Sequence, residues 1–222
     1  MDNQQPPHRR INWHTYIVAL VITVLVFGVG ILLGAEFARA GSSALASDLE
    51  RLTTESTTLE LLLALNVSEE KTCPLLVSQV ARFDKETATF GEKLDFLERS
   101  NGRQDDTVVS LKRQYSLKEI RDYLLLLKIN NACGHKFDTV LYFYSNKECS
   151  DCASQGEALT QLKQAAPDRV MIYSFDADIG GDAPDSLRQV YGISSYPALV
   201  VNGRVLQGYR SAQEVAGVIR ES

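Results

Sequence analysis

The pattern of hydrophobic and polar residues changes from one part of the chain to the next, and a segment near the N-terminus is apolar throughout. Residues 16–35 (YIVALVITVLVFGVGILLGA) form a continuous apolar run without a charged side chain. About twenty apolar residues in a helix are enough to span a bilayer core of about 30 Å. The pattern therefore predicts a transmembrane anchor over residues 16–35, preceded by an N-terminal tail of residues 1–15.

The same apolar run also fits a cleaved secretory signal. Arg9 and Arg10 would form the basic n-region, and Ala38-Arg39-Ala40 resembles a small-x-small cleavage site. The run is longer than the usual apolar core of about 7–15 residues, which favours a retained anchor. In either case the positive-inside rule predicts a cytoplasmic N-terminus and an extracytoplasmic remainder, because the two arginines precede the run.

Residues 36–132 are predicted to form an all-α stalk or bundle. The clearest pattern alternates spacings of four and three, as do the a and d positions of packed helices. These positions are Leu76, Val80, Phe83, Thr87, Phe90, Leu94 and Leu97. A turn is predicted at Asn101-Gly102. A third helical face follows that turn, with Leu117, Ile120, Leu124 and Leu127 on one side.

Two features of this region leave alternatives open. Ser116 and Glu119 have the spacing of a capping box, which predicts that the third stretch is two helices with a break near Tyr115. The apolar seam fits either the inside of an intrachain bundle or a coiled-coil dimer interface. The short turn favours antiparallel neighbours within one chain.

Two of the four cysteines would meet at one end of this hairpin. The sequence midpoint between Cys73 and Cys133 is Arg103, which lies in the predicted turn. Helices that run to the turn and back would bring both thiols together, so we predict a Cys73–Cys133 disulfide. Closing a loop of about 60 residues contributes about 4 kcal/mol on the chain-entropy model. Two unrelated buried cysteines are the alternative.

Residues 133–222 are predicted to form an α/β domain. Short apolar runs typical of strands alternate here with helical patterns, and Asn202-Gly203 is a strong hairpin signal. Ser211 has the position of an N-cap for a final helix. The predicted order is β-α-β-α-β-β-α. The predicted strands are residues 139–144, 170–175, 198–201 and 205–207.

A CxxC motif follows the first of these strands, with Cys149 and Cys152 at the start of the first helix. Tyr196-Pro197 directly precedes the third strand. In this order and these motifs, residues 137–221 resemble the thioredoxin superfamily in its minimal, glutaredoxin-sized form. The resemblance implies a cis bond before Pro197, and a substrate groove shaped by Tyr196 and Pro197.

The predicted position of the pair at a helix N-terminus favours redox chemistry for a physical reason. Unpaired N–H groups and the macrodipole at a helix N-terminus favour the thiolate of Cys149. The thiolate is the attacking species in disulfide exchange. Cys149 is therefore the predicted catalytic nucleophile, and Cys152, one turn into the helix, the buried resolving thiol.

The motif departs from the usual thioredoxin pattern at several positions. Glu148 replaces the tryptophan that normally precedes the first cysteine, and Phe143 stands where the superfamily has a buried acid. Glu148 and Asp151 place negative charge near Cys149, which raises the pKa of a thiolate. A stable structural disulfide without turnover is the alternative interpretation of this pair.

Metal ligation is the other chemistry that a CxxC supports. Zinc would need a second CxxC or nearby histidines, and the chain offers Cys133 and His135, which lie before the strand. The acidic stretch from Asp176 to Asp182 lacks the spacing of a calcium loop and is predicted to be solvated. We predict no metal and no cofactor.

The composition limits the classes of partner that this protein is expected to bind. The net charge of −5 does not favour nucleic acid. The sequence predicts a membrane-anchored, extracytoplasmic thiol–disulfide oxidoreductase that acts on exported proteins. Its expected partners are the lipid membrane, protein thiol substrates and a membrane redox partner that recycles the CxxC. A dimer through the helical region is the alternative to an intrachain bundle. The alternative function is that of a non-catalytic interaction module whose helices bind a partner.

Overall fold

The computed structural model describes residues 13–64, 69–147 and 149–222. The chain divides into two units, Met1–Ala44 and Leu45–Ser222. The helices are α1 (Trp13–Ala64), α2 (Glu69–Asn101), α3 (Asp106–Cys133), α4 (Cys152–Ala165), α5 (Asp182–Val190) and α6 (Ala212–Arg220). The strands are β1 (Asp138–Tyr144), β2 (Val170–Asp176), β3 (Ala198–Val201) and β4 (Arg204–Gln207).

The first unit contains the N-terminal part of α1. Its segment Tyr16–Gly34 has a mean hydropathy of 2.9, and none of the segment is buried. This helix is long and apolar enough to span a membrane, although a signal sequence or a buried helix meets the same criterion. Arg9 and Arg10, on which the predicted orientation depends, lie outside the described residues.

In the second unit, residues 45–64 of α1 pack with α2 and α3; these segments are called the helical layer below. The α2 seam faces its interior, so these apolar positions pack within one chain. The buried seam residues are Leu76, Val80, Phe83, Thr87, Phe90 and Leu94. Gly102, with φ +97°, ends α2 in the predicted turn, because this left-handed conformation favours glycine. Asp105 then caps α3 by accepting hydrogen bonds from the N–H groups of Thr107 and Val108.

The predicted break near Tyr115 is wrong, because α3 is one continuous helix that begins after Asp105. Ser116 and Glu119 lie buried in the middle of this helix instead of capping its start. The spacing of a capping box therefore occurs here without its function, since the N–H groups around Ser116 are already satisfied within the helix.

The buried face of α3 also differs from the predicted one. Leu117 and Leu124 are 57% and 49% exposed, whereas Ile120 is buried. Charged side chains occupy part of the buried face, including Lys118 and Asp122. A hydrophobic pattern misses this face because Lys118 and Asp122 pair with each other within α3 and also bond to Thr87 and Ser56 on other helices, contacts that the sequence does not reveal.

The strands form a mixed sheet in the order β2-β1-β3-β4. β1 is parallel to β2, while β3 is antiparallel to both β1 and β4. The β3–β4 hairpin turns at Asn202 and Gly203, with φ values of 47° and 86°. Positive φ at both positions is the requirement of a tight type I′ turn, so the hairpin prediction is confirmed. Ser211 and Glu214 form a capping box at the start of α6, as the Ser211 pattern predicts.

Each face of the sheet has its own apolar core. On one face, β-strand residues such as Val140 and Leu199 pack with Leu159 of α4 and Val215 of α6. The opposite face packs against the helical layer and α5. Its core includes Leu76, Val80, Ile120, Ile129, Phe143 and Phe175. The division of domains at residue 133 remains a prediction, and this second core contains residues on both sides of it.

Candidate functional site

The CxxC pair lies where the chain leaves β1 and enters α4. Cys149 and Cys152 form a disulfide with an S–S distance of 1.94 Å. Cys149 is half-buried, whereas Cys152 is only 7% exposed. The pair therefore combines a partly exposed cysteine with a buried one.

Acidic side chains at the end of β2 and just beyond it hold the loop that leads to Cys149. The Asp178 carboxylate accepts hydrogen bonds from the Ser145 hydroxyl at 2.8 Å and from the Asn146 backbone N–H at 2.7 Å. The Asn146 side-chain amide donates to Asp176 at 2.8 Å. The prediction of a solvated acidic stretch is wrong for Asp176 and Asp178, because both carboxylates are bound by this loop. Among the described residues, no cluster of three or more His, Cys, Asp or Glu side chains can hold a metal ion.

The first turn of α4 is anchored to its surroundings by two buried side chains. The Tyr142 hydroxyl donates to the carbonyl of Cys152 at 2.6 Å. Burial raises the pKa of Tyr142, so the hydroxyl keeps its proton and remains a donor. Gln155 accepts from the Arg210 N–H at 2.8 Å and donates to the Arg210 carbonyl at 3.0 Å. The sequence carries no signal for either contact, because both depend on elements distant in the chain.

The departures from the thioredoxin pattern have visible consequences at two positions. Phe143 is buried and packs against Phe175, with ring centroids 5.3 Å apart, in the core under the helical layer. Asp151 is exposed and its side chain makes no capping hydrogen bond to α4. Glu148 lies outside the described residues. The expected effect of the two acids on the thiolate therefore stays a prediction.

Tyr196 and Pro197 lie at the end of the central strands β1 and β3, where the chain leaves β1 toward the CxxC. β1 and β3 are antiparallel, and Phe143 near the end of β1 is opposite Ala198 at the start of β3. Pro197 directly precedes Ala198, so the strand pairing places Pro197 beside the end of β1, from which the chain continues to Cys149. The Tyr196–Pro197 peptide bond is cis. The Pro197 carbonyl accepts a hydrogen bond from the Gly208 N–H at 2.8 Å.

The other two cysteines form a separate disulfide in the helical layer. Cys73 and Cys133 are bonded with an S–S distance of 2.00 Å, and join the first part of α2 to the last residue of α3. His135, the nearest histidine to the CxxC in sequence, contacts the Asp138 carboxylate at 3.1 Å. Cys133 and His135 are thus engaged with partners other than the CxxC.

A charged cluster is buried where the helices of the helical layer meet. The Lys118 ammonium donates to Asp122 and, at 3.0 Å, to the Thr87 hydroxyl, and lies 4.1 Å from the centroid of the Phe83 ring. The Ser56 hydroxyl donates to Asp122 at 2.8 Å. Burial raises the pKa of Asp122. Hydrogen bonds and the paired lysine offset the large cost of burying these charges.

A second charged group connects the helical layer to β2. The Lys112 ammonium bridges Glu98 at 2.9 Å and Asp176 at 2.7 Å. Glu119 is 3% exposed and accepts from the Ser174 N–H at 3.3 Å. Burial raises the pKa of Glu119 to about 8. Since Asp176 also binds the CxxC loop, the helical layer contacts that loop through a short chain of polar groups.

Comparison with solved structures finds thioredoxin-like neighbours of low similarity. Chloroplastic thioredoxin z is 16% identical and covers 43% of this chain and 86% of its own, with a TM-score of 0.35. Thioredoxin of Malassezia sympodialis is 21% identical over 42% of this chain and 82% of its own, with a TM-score of 0.31. The first thioredoxin domain of mouse protein disulfide-isomerase A4 is 22% identical over 42% and 69%, with a TM-score of 0.29.

No family model matches the chain, and no curated protein matches it. The fold of the second half of the chain itself indicates the class of protein that it resembles. A mixed four-stranded sheet carries helices on both faces, and a disulfide lies at the start of the helix that follows the first strand. These are features of a thioredoxin-like, thiol–disulfide fold.

Proposed function

We propose that this protein is a thiol–disulfide oxidoreductase that uses Cys149 and Cys152 on exported protein substrates. The observation that carries the proposal is the asymmetry of the pair. Cys149 is half-buried and lies three residues before the start of α4, whereas Cys152 is the buried first residue of that helix. Attack at the more accessible sulfur leaves the shielded sulfur to resolve the mixed disulfide.

The exchange proceeds in two balanced steps. A substrate thiolate attacks the Cys149 sulfur, the Cys149–Cys152 bond breaks, and Cys152 leaves as a thiolate that takes up a proton. A second substrate thiolate then attacks the substrate sulfur of the mixed disulfide and releases Cys149. Two electrons pass from the substrate dithiol to the CxxC, and the reverse sequence reduces a substrate disulfide.

In the proposed enzyme, Tyr196 and Pro197 form one wall of the substrate groove. Their position beside the end of β1, where the CxxC loop begins, supports this role. Tyr196 is half-buried and packs against the core under the helical layer, so part of the residue remains accessible. An extended substrate segment would pair with the backbone at this position.

The proposal includes a membrane location. The segment Tyr16–Gly34 anchors the chain in the bilayer, and the unit from Leu45 to Ser222 acts outside the cytoplasm. Two disulfides in one chain support an oxidising compartment. A membrane protein with its own dithiol–disulfide pair returns the CxxC to its starting redox state.

Trapping of mixed disulfides tests the activity. A Cys152→Ser variant lacks the resolving thiol, so substrates are expected to remain bound to Cys149 and to appear as shifted bands that reductant removes. A Cys149→Ser/Cys152→Ser variant is the matched control and should trap nothing. Because Cys73 and Cys133 are unchanged in both variants, bands common to the two report on the helical disulfide instead.

The reduction potential of the Cys149–Cys152 pair distinguishes an enzyme from a non-catalytic interaction module. An exchanging pair equilibrates with glutathione or thioredoxin-type buffers, whereas structural disulfides have potentials below about −300 mV. A potential far below that value, together with no trapped substrate, contradicts the proposed activity and favours the non-catalytic module.

Location is tested separately from activity. The intact mass of the membrane-extracted chain should include residues 1–40, since a cleaved signal would remove them. A reporter enzyme that is active only outside the cytoplasm, fused after Ser222, should be active. Loss of the N-terminal mass contradicts the anchor, and an inactive but folded reporter contradicts the orientation.

A further inference from the structure

A cavity of about 300 Å³ lies between α2, α3 and the outer edge of the sheet. It is separate from the CxxC, and neither Cys149 nor Cys152 lines it. Its volume is at the lower end of the range for pockets that hold small organic ligands, about 300–1,000 Å³. Nothing in the proposed thiol chemistry uses this cavity.

Acidic side chains outnumber basic ones in the lining of the cavity. Asp95, Glu98, Glu119 and Asp176 line it together with one cation, Lys112. The Lys112 ammonium is already shared between Glu98 and Asp176, and Asp95 pairs with Arg99. Glu119 is the lining carboxylate that these ion pairs leave without a partner.

Glu119 has one unsatisfied oxygen although it is almost completely buried. Its Oε1 atom accepts from the Ser174 N–H, while its Oε2 atom has no hydrogen-bond partner. The nearby Tyr115 hydroxyl carries a single proton, and it donates to the Thr87 carbonyl at 3.3 Å. When Glu119 is ionised, this unpaired buried carboxylate oxygen is costly, so a cationic donor that reaches it from the cavity would be bound favourably.

Aromatic rings complete the lining. Tyr115 and Tyr144 both line the cavity, and the faces of aromatic rings attract organic cations. The described residues contain no cluster of three or more acidic, histidine or cysteine side chains suited to a metal. The combination favours an organic cation over a metal ion.

We propose that this cavity binds a small organic ammonium ion, with the ammonium group on the Glu119 carboxylate and the carbon atoms against Tyr115 and Tyr144. The carboxylate supplies the charge and the free acceptor, and the rings supply the apolar and cation–π contacts. The proposal does not depend on the redox activity of Cys149 and Cys152, so either can fail alone.

Methyl NMR of the full chain in non-ionic detergent micelles tests the proposal. n-Propylammonium chloride is titrated at pH 9 against sodium chloride of equal concentration, and the methyl shifts of Leu94 and Ile172, which line the cavity, are followed. Burial raises the pKa of Glu119 to about 8, so the carboxylate is ionised at pH 9 while an aliphatic amine is still charged. Saturable shifts at both methyl groups are expected.

The matched variant is Glu119→Gln, whose amide oxygen still accepts from the Ser174 N–H but whose charge is gone. The apparent affinity for n-propylammonium is expected to fall at least about tenfold. Glu92→Gln, an exposed carboxylate on α2 outside the cavity, is the control and should leave the affinity unchanged.

n-Propanol gives a comparison that requires no variant to fold. It has nearly the same shape without the charge, so it is expected to bind the wild-type chain at least about tenfold more weakly. Absence of saturable shifts with n-propylammonium, equal binding of the alcohol, or equal affinity in folded Glu119→Gln would each overturn the proposal.

Discussion

The two faces of the sheet are stabilised in different ways. The face under α4 and α6 is a conventional apolar core, built around residues such as Val140, Leu159 and Val215. The face under the helical layer combines an apolar core with buried charges, among them Lys118 and Asp122. The CxxC disulfide belongs to α4, whereas the Cys73–Cys133 disulfide closes the helical layer.

The two disulfides differ most in the length of chain that they close. Cys73 and Cys133 are separated by 60 residues, and Cys149 and Cys152 by 3. On the chain-entropy model the first contributes about 4 kcal/mol and the second about 2 kcal/mol. The fold therefore depends more on the helical disulfide than on the CxxC disulfide.

Removal of the helical disulfide is expected to have the largest effect. Cys73→Ala/Cys133→Ala should lower the free energy of unfolding by about 4 kcal/mol, because the unfolded chain gains the freedom of a long loop. Denaturant unfolding of the full chain in detergent, followed by far-UV circular dichroism, measures this. Cys149→Ala/Cys152→Ala is the control and should cost about half as much. Equal losses would contradict the contrast between the two disulfides.

Breaking the buried ion pair should rank next. Lys118→Met leaves the Asp122 carboxylate buried with the Ser56 hydroxyl as its remaining side-chain donor, so we expect a loss of about 3 kcal/mol. Lys128→Met, at an exposed position of the same helix, should cost little. A double variant, Lys118→Met/Asp122→Leu, should recover much of the loss. If it unfolds as easily as the single variant, the charges themselves are not the cause.

Glu119 should make the helical-layer side sensitive to pH. Burial raises the pKa of this carboxyl to about 8 in the folded chain, above its ordinary value of about 4.3 when unfolded. The folded state therefore holds the proton more tightly. Stability from this group is fully present below about pH 4 and is lost as pH rises through about 8.

The side chain at position 119 of the Glu119→Gln variant stays neutral at every pH, so the variant should be more stable to unfolding than the wild type in alkaline solution. We expect it to be more stable at pH 9 by about 2 kcal/mol, less than full linkage predicts because water relaxes around an ionised buried group. Near pH 4 the two should be nearly equal. Urea midpoints across this range measure the difference, and parallel pH profiles would contradict the assigned burial.

The smallest effect is expected on the CxxC side. Tyr142→Phe removes the hydrogen bond to the Cys152 carbonyl, which should cost about 1 kcal/mol, the usual contribution of one hydrogen bond. Tyr209→Phe, at a residue that is 45% exposed, is the control and should change nothing. Thermal unfolding in the oxidised state measures both. A loss as large as that of Lys118→Met would remove the contrast between the two faces.

Sequence patterns were most reliable where a local rule applies. The α2 seam is visible because apolar residues repeat at helical spacing, and its members are buried as a set, from Leu76 to Leu94. Asn202-Gly203 and Ser211 mark a hairpin and a helix start through backbone chemistry that needs no distant partner. The same local logic misplaced a break at Tyr115, since Ser116 and Glu119 have capping spacing in the middle of a helix.

The sequence by itself determined the apolar N-terminal segment, the mixed α/β character of the C-terminal half and the CxxC at a helix start. Tertiary structure alone decided which polar residues are buried and why. Lys118, Glu119 and Asp122 resemble a solvated helix face until Thr87, Ser56 and Ser174 are brought beside them. A buried charge is stable only when all its hydrogen bonds are satisfied. Lys118 and Asp122 are close in sequence, but the hydroxyl and N–H groups that complete their surroundings and those of Glu119 are distant, so no local pattern reveals the burial.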